Sequence, residues 1–151
     1  MKDFKELKVA ICNDHAGVEA KNFIVEQLKM RGVTVTNFGT DTTDNCDYPD
    51  FAHPMALAVE EGMCDMGIAI CGTGNGISMT CNKHQGIRAA LSWEVEIARL
   101  AREHNNANVV GIPARFISIE KAWEIVEAFL TTDFEGGRHE ARVAKIPVVS
   151  K

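Results

Sequence analysis

Short apolar runs alternate with apolar stripes at helical spacing along almost the whole chain. The run over residues 9–12 predicts a first strand. Ala20, Phe23, Ile24 and Leu28 then recur at helical spacing, and Gly32 marks the stop. Residues 33–38 begin by alternating valine with threonine, as a second strand would. A polar, turn-rich stretch over 39–47 leads to Pro49 and Asp50. These open a helix carrying Phe51, Met55, Leu57, Ala58 and Val59, ended by Gly62. Residues 67–70 are short, apolar and β-branched toward their end, which suits the middle of a parallel sheet. A short helix over 77–82, a strand over 87–91, a helix over 94–104 and a strand over 108–112 closed by Pro113 follow. Ile119, Ala122, Trp123, Val126, Phe129 and Leu130 form a last long stripe, and residues 133–143 trail as a tail. Strands and helices alternating through short connections make βαβ units. The expected fold class is α/β: a single-domain, Rossmann-like three-layer sandwich with a central parallel sheet and helices on both faces. No linker, repeat or low-complexity segment interrupts the pattern, so residues 1–151 read as one domain.

Composition narrows the function. The chain has 151 residues, enough for one proper core, and its net charge of −5 comes with no basic stretch, so nucleic acid is not an expected partner. No apolar stretch approaches a membrane span, and residues 1–8 carry no run of signal-peptide length. Five cysteines (Cys12, Cys46, Cys64, Cys71 and Cys81) include no C-x-x-C pair and are odd in number. That argues against a zinc site or a disulfide framework and for a reducing compartment, hence a cytoplasmic protein.

The candidate chemistry gathers where the 67–70 strand ends. Cys71, Gly72, Thr73, Gly74, Asn75 and Gly76 put a thiol, a hydroxyl, an amide and three alternate glycines into six residues. Alternate glycines let the backbone turn sharply and present amides outward. The carboxyl end of a parallel strand is where such sheets bind anionic ligands. A free thiol of pKa about 8.5 is only slightly ionised at neutral pH, and amides with a helix N-terminus favour its thiolate. The loop is no P-loop, because Gly76 is followed by Ile77 and Ser78 rather than by lysine and a hydroxyl residue. It follows a later strand than a dinucleotide fingerprint does. What remains is a cluster of donors suited to an oxyanion, each worth roughly 3 kcal/mol.

Asp14 and His15 follow the first strand, on the same sheet edge as Cys71; an N-cap and a surface histidine would look the same. His104 lies on the apolar stripe of Ile97, Leu100 and Ala101, with Asn105 beside it. It reads either as a satisfied core histidine or as a general acid facing a thiol. Arg138 and Arg142 share one face if their segment is helical, where they make either surface ion pairs or a phosphate clamp. Arg115 is a possible third arginine.

Assembled, these residues resemble the ribose-5-phosphate isomerase B family, within the sugar-phosphate isomerases that include galactose-6-phosphate isomerase subunits. The marks are Asp14-His15, Asp47-Tyr48-Pro49, the stretch from Ile70 to Ser78, Asn82-Lys83, Gly86-Ile87-Arg88-Ala89, Glu103-His104-Asn105, Asn108-Val109 and Glu135-Gly136-Gly137-Arg138-His139. The resemblance implies interconversion of ribose 5-phosphate and ribulose 5-phosphate through an enediolate, with no metal and no cofactor. It implies Cys71 as the base, Thr73 as an aid to proton movement on the substrate oxygens and His104 as the ring-opening acid. Gly72, Gly74, Asn75 and Gly76 would stabilise the enediolate. Asp14, His15 and Asn105 would contact the sugar, and Arg115, Arg138 and Arg142 would hold it, chiefly by its phosphate. The family also implies a homo-oligomer, dimer or tetramer, with sites between subunits. Asn13, Asn75, His84-Gln85 and Ser92-Trp93-Glu94 depart from the pattern. Trp93 in particular could alter substrate choice, so allose or galactose 6-phosphate is the alternative substrate, and a non-catalytic sugar-phosphate sensor the remote one.

Overall fold

In the computed structural model, which describes residues 2–148, five strands and six α-helices form one α/β unit. In chain order these are β1 (Lys8–Asn13), α1 (Val18–Met30), β2 (Thr34–Asn37), α2 (Pro49–Glu60), β3 (Met66–Cys71), α3 (Asn75–Cys81), β4 (Ala89–Leu91), α4 (Val95–Asn105), β5 (Val109–Pro113), α5 (Ile119–Thr131) and α6 (Arg138–Val143). The sheet is wholly parallel, in the order β2-β1-β3-β5-β4. The order reverses between β1 and β3, the switch point at whose carboxyl end such sheets bind their ligands.

The two faces of the sheet differ in the size of their residues. Val9, Ile11, Ile68, Ile70, Val110 and Ile112 point to one face, under α1, α4 and α5. The four isoleucines are fully buried, each worth on the order of 2 kcal/mol relative to exposure. Ala10, Cys12, Ala69 and Cys71 point to the other face with Gly67 and Gly111, under α2 and α3. Small residues there let the helices come close. A side chain at Gly67 would meet Met55 Sδ at 2.5 Å, and one at Gly111 would collide with Ser78 Oγ. The tight seat fixes α3, and with it the loop that precedes it.

Three details differ from the pattern reading. α3 begins at Asn75 rather than at residue 77, because Gly74 takes a left-handed conformation (φ 75°) and starts the helix directly off the loop. Residues 138–143 are not a plain tail but the short helix α6, which docks beside α4 after left-handed Gly136 and Gly137. β5 sits between β3 and β4, so the last two strands are out of sequence order. Each of the helices α1 to α5 returns the chain from the carboxyl to the amino edge of the sheet. The C-terminus of α4 therefore lies at the amino edge, where Asn108 O accepts from Gly67 N (2.9 Å) at the start of β3.

Candidate active site

At the carboxyl edge, the ends of β1 and β3 are joined directly. Asp14 N donates to Ile70 O (3.1 Å), and the nearly buried Asp14 carboxylate caps the next turn by accepting from Ala16 N (2.9 Å). His15 is half-buried, with Nδ1 3.8 Å from Cys46 Sγ. Cys46 thus lines this edge. Its loop is held down from beneath: Asn13 Nδ2 and the fully buried Lys21 ammonium both donate to Thr40 O, and Lys21 also pairs with Asp41.

Cys71 ends β3 at 5% exposure. Its carbonyl accepts from Ala114 N (2.9 Å) and that of Gly72 accepts from Arg115 N (3.0 Å), so the exit of β5 wraps the glycine loop. The Arg115 side chain lies over Gly72, where an added Cβ would be 3.1 Å from Nη1. Thr73 Oγ1 accepts from Asn75 N (3.2 Å). Gly74 abuts Leu91, and Gly76 lies under the Tyr48 ring, 2.5 Å from an added Cβ to Cζ. Larger residues at these glycines would displace Tyr48, Leu91 or Arg115. Behind Cys71, burial pushes the Cys12 thiol well above its ordinary range, with Cys81, Cys71 and Asp14 adding to the effect. Burial likewise takes Cys81 up to about 12. Both stay neutral thiols, as core residues should. Beside Thr73 and Asn75, exposed Trp93 and Phe116 line a cavity of about 280 Å³ with Leu91 and Pro113.

At the amino edge a second group forms. His104 and Asn105 end α4, and Glu135 N donates to Glu103 O (3.0 Å), fixing the segment that leads into α6. His139, on α6, is buried and stacks on His104 with ring centroids 4.4 Å apart and planes 14° apart. Glu135 Oε2 lies 3.4 Å from His139 Nε2. Arg138 and Arg142 occupy one exposed face of the same helix. Asp133 and Phe134 line a cavity of about 530 Å³ with Leu7, Asp65 and Met66, which places this segment beneath the starts of β1 and β3.

The predicted site residues therefore divide. Asp14, His15, Cys71, Gly72, Thr73, Gly74, Asn75, Gly76 and Arg115 share the carboxyl edge; His104, Asn105, Arg138 and Arg142 share the amino edge. A six-residue strand such as β3 is about 17 Å long, so one copy of the chain does not bring Cys71 and His104 together. His104 faces His139 rather than a thiol of its own chain, because right-handed crossovers send α4 back to the opposite edge. Tyr48 and His139 stand in the sequence among the marks of the resemblance, in Asp47-Tyr48-Pro49 and Glu135-Gly136-Gly137-Arg138-His139, but no role in the site followed from it for either. The structure places Tyr48 over Gly76 and His139 against His104.

A family model described as Ribose/Galactose Isomerase matches residues 9–146. The curated "Ribose-5-phosphate isomerase B" of Escherichia coli (strain K12) is 44% identical over 95% of this chain and 97% of its own. The "D-erythrulose-4-phosphate isomerase" of Pectobacterium atrosepticum is 43% identical over 93% of each chain. A crystal structure of ribose-5-phosphate isomerase B from Mycoplasma genitalium with bound ribulose 5-phosphate superimposes with a TM-score of 0.89. It is 43% identical, over 92% of this chain and 93% of that one.

Proposed function

Because the chain belongs to the ribose/galactose isomerase family, and is an isomerase, we propose that it interconverts ribose 5-phosphate and ribulose 5-phosphate in a site shared by two copies. The observation that carries this reading is the likeness, along nearly the whole chain, to a structure holding ribulose 5-phosphate. The division of the site residues between opposite sheet edges supports the sharing. In a two-fold assembly the amino edge of one copy would meet the carboxyl edge of the other, giving two equal sites. The substrate is a phosphorylated sugar, and the work is done in the cytoplasm by a homo-oligomer that uses no metal or redox cofactor.

The roles follow the chemistry. Arg138 and Arg142 of one copy, with Arg115 of the other, hold the phosphate, and that remote binding energy positions the sugar. His104 gives a proton to the ring oxygen as the furanose opens, with Asn105 beside it. The Cys71 thiolate takes the proton from C2 of the open aldose and returns it to C1. The negative charge passes to the enediolate oxygens, for which the loop from Gly72 to Gly76 supplies amide donors other than Asn75 N, already bonded to Thr73 Oγ1. Thr73 exchanges protons with those oxygens. Asp14 and His15 hold the sugar hydroxyls at the β1 end.

Sugar length is the open choice, since a relative named for a four-carbon phosphate matches as well as one named for a pentose. The hollow under Trp93 and Phe116 adjoins the loop and offers room for a longer chain. The test compares kcat/KM for ribose 5-phosphate, allose 6-phosphate and galactose 6-phosphate on the purified chain, without a second subunit type. The pentose is expected to be preferred. A hexose preference would keep the chemistry and move the substrate, with Trp93 the first residue to vary. Binding without turnover of any sugar would leave a sensor.

A further inference from the structure

We propose that His104, Glu135 and His139 form a site for a divalent transition-metal ion of the zinc class, and that the bound ion withdraws His104 from the reaction. The proposal rests on the reading of His104 as the ring-opening acid. One ligand atom from each of the three residues lies within 4.8 Å of the others. The 3.4 Å from Glu135 Oε2 to His139 Nε2 already matches the spacing of two ligands on one tetrahedral zinc, about 3.4 Å for bonds near 2.1 Å.

The group is built from elements that are fixed independently. α4 carries His104, α6 carries His139, and the backbone bond from Glu135 N to Glu103 O ties the intervening segment to α4. Two imidazoles and one carboxylate are the donor set of an open zinc site, with positions left for water, rather than of a closed structural one. His139 is buried and backed by Glu135, so it is the fixed ligand. His104 is half-buried and its ring lies nearly parallel to that of His139. An ion must lie in the plane of each ring it binds, so His104 has to turn out of the stack to complete the site. Exposed Glu135 closes the remaining gap.

The consequence is inhibition. An ion takes the same imidazole lone pair that must carry the proton for ring opening, and it displaces a proton when it binds. The ion is therefore an inhibitor and not a cofactor.

The test starts with Co²⁺ added to the protein in chelator-treated buffer, without sugar phosphate. The expected spectrum is that of nitrogen- and oxygen-ligated cobalt, with no thiolate-to-metal charge-transfer band. Even outer-shell partners of a metal are worth 10–100-fold in affinity, so loss of a ligand in Glu135→Gln should weaken binding at least about tenfold. Zn²⁺ should then slow turnover of ribose 5-phosphate, reversibly on addition of EDTA. It should act at least about tenfold less tightly on Glu135→Gln, measured against that variant's own zinc-free rate. A thiolate band would assign the ion to cysteines, and equal affinity in Glu135→Gln would remove Glu135 as a ligand; either result would overturn the site, as would no binding at all. Binding that depends on Glu135 but leaves turnover unchanged would overturn the inhibition. Turnover in chelated buffer reports on the isomerase reading alone. A chain with the cobalt spectrum and no turnover would lose that reading and keep the site.

Discussion

Replacing Cys71 with alanine is expected to lower kcat for ribose 5-phosphate by about 10²–10⁴-fold, the range in which one positioned base acts. The change removes one sulfur atom from a side chain that is 5% exposed, at the end of a fully buried strand, so it leaves the sheet intact. Affinity for the sugar phosphate should persist, because the arginines proposed to hold the phosphate lie on the β5 exit and on α6, not on β3. Calorimetry with ribose 5-phosphate should show near-normal binding beside nearly absent ribulose formation. Turnover within tenfold of the unmodified chain would remove Cys71 as the base, since Cys12 and Cys81 behind it are held neutral and cannot substitute.

His104→Ala should produce a loss that depends on whether the substrate has a ring to open. On ribose 5-phosphate, which closes as a furanose, kcat should fall about 10²–10⁴-fold. A four-carbon aldose 4-phosphate cannot close that ring, because its C4 oxygen carries the phosphate, and its turnover should be largely spared. Setting ribose 5-phosphate against ribulose 5-phosphate would not suffice, since forward and reverse kcat/KM must fall together to preserve the equilibrium constant. Initial rates on both aldoses provide the readout, and equal losses on the two would count against a role confined to ring opening.

The parts of this molecule legible in its sequence are those whose signal is local. The fully buried strand β3 reads as an unbroken apolar run, and the glycines after it mark a tight loop before any contact is known. The stripe of α5 and the Pro49 start of α2 are equally plain. What the sequence hid depends on contacts between distant segments. Nothing in the β4 pattern says that β5 will insert between it and β3. Half of the six residues of α6 are charged and they carry no apolar stripe, so nothing local announces a helix that docks against α4. Cys46 sits in a stretch without periodicity, so its approach to His15 could not be read. The separation of His104 from Cys71 was derivable in principle: a helix between parallel strands must end at the amino edge. The resemblance implied sites between subunits, but not which residues each copy supplies.

The claim that two copies complete each site is tested most directly by mixing the two inactive variants. Cys71→Ala and His104→Ala chains, unfolded together and refolded at equal amounts, should form mixed pairs. Each mixed pair has one site with both defects and one with neither. Half of the pairs are mixed and half of their sites are whole, so about a quarter of the normal specific activity should return from two inactive proteins. If the mixture stays as inactive as its components while forming mixed oligomers, Cys71 and His104 do not act across two copies, and the shared site is wrong.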